Sequence, residues 1–324
     1  MSELRFGQAI NKALADAMAA DETVVLFGED VAGPGGPFGV TRGLLKAFGE
    51  ARVRDTPISE GAIAGAAVGA ALSGLRPVVE IMFMDFTTLA MDALVNQAAK
   101  AHFMFGGQVS VPMVLRTPHG GGLGAGPQHS QCLEAWFAHV PGLKVVCPGT
   151  PADAYGLLRA AIEDPDPVIF VENKALYAAK GEVADDAGAD RLGTARTVRE
   201  GGDVTIVSYG AMVASALSAA ETLAAEGVEA EVIDLRTLQP WDEQAVLASL
   251  NKTHHLVIAH EAVEAFGVGA EVAARMIDLG FYELDGPIAR VGAPFAPVPF
   301  AKTFEAAYLP GPDDIVRAVH RSME

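Results

Sequence analysis

Residues 55–77 read DTPISEGAIAGAAVGAALSGLRP. One acidic residue, Glu60, heads a run of small residues long enough for about four helical turns. Gly61, Gly65 and Gly69 recur at i, i+4 and i+8, so a helix carries all three on one face. Each glycine costs roughly 1 kcal/mol against alanine inside a helix. A face built this way is expected to receive the close approach of another backbone or of a ligand. Ser59 reads as the N-cap and Glu60 as a first-turn acid, choices that capping and the helix dipole explain without any chemistry. Beside so bare a face, the Glu60 carboxylate is also expected to be buried with a raised pKa, able to hold or share a proton near neutral pH.

The flanking sequence sets this helix in an α/β protein. Residues 23–30, 76–83, 111–118, 143–149 and 167–173 read as short, nearly continuous apolar strands. Helical patterns at 59–74, 87–102, 130–139 and 151–164 separate them. This alternation predicts a mostly parallel sheet covered on both faces. Residues 180–199 lack bulky apolar periodicity and read as a linker. Strands at 203–210, 229–238, 254–261 and 287–292 follow, with a helix up to Gly227 and a last one from Asp313. The expected organisation is a domain over 1–180, a linker over 181–200 and a smaller α/β domain over 201–324, with the boundary near Gly193.

The chain has 324 residues, half of them apolar, and a net charge of −18. That length allows two cores. The acidic balance argues against nucleic acid, which needs clustered Lys and Arg, and would steer a basic partner. Two cysteines and no secretory leader point to a reduced compartment, cytosolic unless a targeting segment has been removed. The apolar run 61–75 is too short and too glycine-rich to span a bilayer, so no membrane role is expected.

Other motifs are weighed on their chemistry. The loop HGGGLGAGPQHSQ (119–131) follows a strand, where α/β sheets bind ligands. It does not fit G-x-G-x-x-G, and the chain has no Gly-Lys pair for a P-loop. His129 is read near the start of a helix, where the dipole favours a neutral, hydrogen-bonding imidazole; a structural histidine is the alternative. His129, Cys132, His139 and Cys147 match no zinc spacing. IVSYG (206–210) has Ile206 where a nucleophile elbow requires glycine. Met82, Met84 and Phe86 alternate after a strand, as core or as the wall of a ligand slot. Asp164 and Asp166, at a helix end, fit either a plain turn or a monovalent cation.

In combination and order, DTPISE, GLRPVVEIMFMDF, NQAAKAHFMFGG, AGPQHSQ, HVPGLKVV and AIEDPDPVIF resemble one family. It is that of the beta subunits of the thiamine-diphosphate-dependent decarboxylase component of 2-oxoacid dehydrogenase complexes, a group with pyruvate, branched-chain 2-oxoacid and acetoin members. The resemblance covers nearly the whole chain. It implies a transketolase-like pyrimidine-binding domain followed by a transketolase C-terminal domain. Glu60 matches the carboxylate that contacts the cofactor's aminopyrimidine ring, and Ile58, Met82 and Phe86 match the residues around that ring. His129 matches the active-site histidine of the QHSQ motif. Met113, Ala161, Ile162, Asp164 and Asp166 match a potassium site, mainly through backbone carbonyls, although Asp166 stands where asparagine is frequent.

In this family a carboxylic acid at the ring nitrogen lets the cofactor's own amino group act as base toward its C2 carbon. The sequence contains no Gly-Asp-Gly, the motif that holds Mg²⁺ and the diphosphate in thiamine enzymes. The resemblance therefore implies a thiamine-diphosphate site shared with an alpha subunit that carries the Mg²⁺, in a heterotetramer of two alpha and two beta chains. It further implies a lipoyl acyltransferase core as acyl acceptor, with pyruvate the foremost substrate class and acetoin the alternative. The rival readings are a self-sufficient transketolase-like synthase and a non-catalytic relative of the fold.

Overall fold

A computed structural model describes residues 1–185 and 187–324, so Asp186, within the stretch read as a linker, lies outside the described residues. The chain divides into two compact units: Met1–His119 with Trp136–Leu192, and Gly120–Ala135 with Gly193–Glu324.

In the first unit, β1 (Ser2–Arg5) leads into α1 (Phe6–Ala20), β2 (Val24–Gly28), α2 (Leu44–Phe48) and β3 (Val53–Asp55). Then come α3 (Glu60–Leu72), β4 (Arg76–Glu80), α4 (Ala99–Met104) and β5 (Val114–His119). After the short α5 (Glu134–Ala138) follow β6 (Lys144–Val146), α6 (Pro151–Glu163), β7 (Val168–Asn173) and β8 (Lys180–Val183). Six strands pair in the order β6–β7–β5–β4–β2–β3, every pairing parallel. Phe6, Ile10 and Leu14 of α1 and Tyr155, Leu158 and Ile162 of α6 share one core with Val24, Leu26, Val78 and Phe170 from the strands. Crossover helices bury both sheet faces, which is why the strands read as unbroken apolar runs.

The second unit runs β9 (Arg196–Arg199), β10 (Val204–Ser208), α7 (Met212–Ala225), β11 (Ala230–Asp234), β12 (Thr237–Gln239) and α8 (Glu243–Thr253). It continues through β13 (Leu256–Val263), α9 (Val268–Gly280), β14 (Ala289–Ala293), α10 (Lys302–Tyr308) and α11 (Pro312–Met323). Its sheet has the order β14–β13–β10–β11–β9, parallel except for β9 at the edge. Val204, Ile206, Val232 and Val257 pack with Ala216 and Leu223 of α7 and Ile315 and Val319 of α11. Among the described residues no helix is long and apolar enough to cross a membrane.

Three local expectations need correction. The presumed linker carries β9 and most of β8, edge strands that pair antiparallel with β11 and β1. Edge pairing rests on main-chain hydrogen bonds and needs no apolar period, so the pattern missed it. The helix expected over 87–102 is wound in three ways: 3₁₀ over Met84–Ala90, π over Asp92–Ala98, then α4. Thr87 and Thr88 hydroxyls donate to the Met84 and Asp85 carbonyls, at 2.5 and 3.0 Å, and so compete for the backbone acceptors of that first turn. The helix expected over 130–139 shrinks to the five residues of α5.

Candidate active site

Parallel strands bring their C-terminal ends to one edge of the first unit's sheet, the usual place for ligands in such folds. Glu29 follows β2 there, and Glu80 ends β4. Glu60 opens α3 and is only 5% exposed. Ser59 does not cap this helix as expected: its hydroxyl turns back to the Pro57 carbonyl at 3.1 Å. Its backbone N–H instead donates to Glu29 Oε1 at 3.3 Å. Burial pushes the Glu29 carboxyl above the ordinary carboxylate range, and the Glu60 charge pushes it further. Ile58, on the turn before Glu60, is 80% exposed; Met82 and Phe86 are half-buried. Phe86 meets Phe83 edge to face at 5.9 Å, and Phe83 meets Phe38 likewise at 6.0 Å.

The outward face of α3 is bare. Gly61, Ala62, Gly65, Ala66 and Gly69 are exposed while Ile63, Ala64, Ala67 and Val68 are buried. Of the α3 glycines, only Gly61 receives a close approach among the described residues, with the Leu89 carbonyl 3.0 Å from where a Cβ would stand. Gly65 and Gly69 face open space.

Beneath these acids lies a buried ion cluster that sequence reading missed. Arg116 on β5 donates to Glu172 of β7 and, at 2.6 Å through Nη1, to Glu80 of β4. Tyr177 completes it with a 2.8 Å bond to Glu172. Burial works against the Arg116 charge, but Glu172 and Glu80 more than compensate and hold its proton firmly. Burial also raises the Glu80 carboxyl, which Arg116 only partly offsets. A signal was present: Glu80, Arg116 and Glu172 each interrupt a strand that otherwise reads as largely apolar.

The residues matched to a potassium site are drawn together, but with protein cations. The Ile162 and Asp164 carbonyls accept from Arg76 Nη1 at 2.7 and 3.3 Å. Lys144 Nζ binds the Asp164 carboxylate at 2.7 Å and Asp166 at 3.0 Å. The Met113 carbonyl accepts from Val168 N–H at 2.9 Å, and Ala161 is buried in the core. The Arg76 guanidinium and the Lys144 ammonium thus serve the Ile162, Asp164 and Asp166 oxygens, and no potassium enters the function proposed below.

In the second unit, the glycine-rich loop is tied down by two carboxylates. Glu261 accepts from Gly121 N–H at 2.6 Å, and Glu305 accepts from Gly122 and Gly124 at 2.9 and 2.8 Å. Gly126, at φ +76, lies so close to the Phe300 ring that a Cβ would stand 2.2 Å from it, so the position admits only glycine. His129 is half-buried, and its N–H bonds the Gly126 carbonyl at 3.3 Å. It sits five positions before α5, so the helix-dipole argument made for it does not apply. Glu261 and Glu305 had no sequence signal, because they lie 140 and 183 residues from the amides they hold.

Residues 2–180 match the family described as transketolase, pyrimidine binding domain, and residues 193–315 match transketolase, C-terminal domain. The chain is 47% identical to pyruvate dehydrogenase E1 component subunit beta-2, mitochondrial, of Oryza sativa subsp. japonica, over 99% of this chain and 86% of that one. It is 49% identical to the acetoin:2,6-dichlorophenolindophenol oxidoreductase subunit beta of Bacillus subtilis (strain 168), over 97% and 95%. The chain belongs to the transketolase-fold beta subunits of the pyruvate and acetoin dehydrogenase family. Among solved structures, a split-gene transketolase described as an inactive beta4 tetramer shares this beta subunit's fold. Its TM-score is 0.82 at 24% identity, covering 99% of this chain and 98% of that one. A transketolase from Leishmania mexicana superposes with a TM-score of 0.73 at 18% identity, this beta subunit covering 46% of it.

Proposed function

We propose that this beta subunit supplies the pyrimidine half of a thiamine-diphosphate site, and that an alpha subunit supplies the Mg²⁺–diphosphate half in a heterotetramer of two alpha and two beta chains. The proposed reaction is decarboxylation of a 2-oxoacid, pyruvate foremost, with acyl transfer to the lipoyl group of an acyltransferase core. The observation that carries this reading is a buried Glu60 at the head of a helix, close enough to Glu29 for its charge to act on that carboxyl. When bound, the cofactor supplies a nucleophilic carbon and the electron sink that decarboxylation needs. Glu60 holds or shares a proton with a ring nitrogen of the pyrimidine. Glu29 lies beside it, its carboxyl raised above the ordinary carboxylate range by burial and then by the Glu60 charge. Ile58, Met82 and Phe86 keep water from the ring, which strengthens the Glu60 contact. His129 moves a proton for the acyl acceptor. The bare glycine face of α3 receives the alpha chain, which accounts for glycine at positions 65 and 69, where a Cβ would meet nothing among the described residues.

The missing Gly-Asp-Gly supports a shared site over a self-sufficient synthase. A second reading, cleavage of acetoin by the same machinery, is favoured by the similarity to the Bacillus acetoin subunit. Rates of the reconstituted alpha–beta pair on pyruvate, branched-chain 2-oxoacids and acetoin decide between them. The deciding test of the site is Glu60→Gln, which keeps size but cannot donate a carboxyl proton. C2 proton–deuterium exchange of thiamine diphosphate in the assembled complex should slow by about 10²–10⁴-fold. Exchange at the wild-type rate would return Glu60 to a helix-end acid and remove the reading.

A further inference from the structure

The second unit contains a pocket of about 530 Å³, built wholly from its own residues. That volume is in the range of small-molecule sites. Leu133, Val263, Pro297, Val298 and Leu309 give it apolar walls. Ser130, 2% exposed, lines it, and the Ser130 hydroxyl has no hydrogen-bond partner among the described residues. A buried hydroxyl left unmatched costs about 1–3 kcal/mol, so native folds seldom keep one without a use. Tyr308 offers a second hydroxyl on the wall. Burial raises its hydroxyl above the ordinary tyrosine value, and so it is available as a donor.

We propose that this pocket binds a small, uncharged, largely aliphatic molecule through one carbonyl oxygen, which accepts from Ser130. Two hydroxyl donors, with Gln128 and Gln131 also on the lining, over apolar walls suit an acceptor on a hydrocarbon body. The Glu261 carboxylate on the wall repels an anion, in a chain that already carries a net charge of −18. A cation is disfavoured as well, because apolar walls make a charged group costly to desolvate. The inference does not depend on the thiamine reading.

Cys132, half-buried on the pocket wall, supplies the reporter, and wholly buried Cys147 the internal control. The full chain is alkylated with iodoacetamide in the presence of hexanamide, hexanoate or hexylamine, and each cysteine is followed by peptide mass spectrometry. Hexanamide should slow Cys132 alkylation about tenfold at saturation, while hexanoate and hexylamine leave it unchanged. Ser130→Ala should raise the half-protecting concentration roughly two- to tenfold, the value of one neutral hydrogen bond. Ala296→Trp, at the exposed rim, should abolish protection while leaving Cys132 reactive. Equal protection by the charged isosteres, no protection by hexanamide, or an unchanged half-protecting concentration in Ser130→Ala would each overturn the proposal.

Discussion

Arg116 and Glu172 are joined at two points, Nε to Oε1 at 2.7 Å and Nη2 to Oε2 at 2.9 Å, with neither side chain more than 1% exposed. The guanidinium's remaining arm goes to Glu80. Fork-to-fork pairing fixes orientation as well as charge. Arg116 therefore sets the spacing of β4, β5 and β7 directly beneath the strand ends that carry the candidate site.

Removing one member of such a cluster strands the others. Arg116→Met should destabilise the fold by about 3–5 kcal/mol, because two buried carboxylates lose their counter-ion. Adding Glu80→Gln and Glu172→Gln should recover most of that loss. Urea unfolding of the single and triple variants measures both steps, and a triple variant no more stable than the single one would contradict the account.

Glu29 gives a pH signature. Its folded-state pKa is raised by burial and by Glu60, so the folded form binds the proton more tightly than the unfolded form. The stability this brings is present below the unfolded carboxylate value and is lost as pH rises through the folded one. Glu29→Gln, neutral throughout, should raise Tm at pH 7.5 and make little difference near pH 4. Thermal unfolding at the two pH values checks the sign.

His260 works in the opposite direction. It is wholly buried, with Nδ1 3.1 Å from the Ala262 carbonyl and Nε2 without a hydrogen-bond partner among the described residues. Burial lowers its pKa against the upward pull of Glu134 and Glu264, with Arg290 adding to the depression. Unfolding then takes up a proton, so its share of stability is full above the ordinary histidine value of about 6.5 and is lost as pH falls below it. In His260→Gln that decline should disappear from the pH dependence of Tm between pH 7.5 and 5.

Glu305 anchors the loop that presents His129. Glu305→Ala should cost roughly 1.5–3 kcal/mol, since two amides lose a charged acceptor. Glu305→Gln, which retains one acceptor oxygen, should cost less. Hydrogen exchange at Gly122 and Gly124 should accelerate in the alanine variant ahead of the rest of the unit, and uniform acceleration would mean that the latch is not local.

Legibility from sequence followed the range of the interaction involved. The strands ending at Glu80, His119 and Asn173 were readable because burial on both faces writes a continuous apolar run into the chain. Glu60 was readable because it stands beside glycines spaced for one helix face. Ser59 looked like a cap, yet its rotamer answers to Pro57, and its amide to Glu29, 30 residues earlier. Arg116 was visible as an oddity in a strand, but its partners lie 36 and 56 residues away and depend on which strands become neighbours. The short strand β9 escaped because its register is set by β11 and not by its own composition.

The loop holding His129 has a consequence for how the chain is made. Its amides emerge from the ribosome early, but the carboxylate of Glu305 that holds two of them is encoded 183 residues later. At ~5–20 residues per second, roughly 10–40 seconds of translation separate the two. During that interval Gly122 and Gly124 lack the carboxylate that holds them in the finished fold. The loop can acquire its final shape only once α10 has been made, near the end of synthesis.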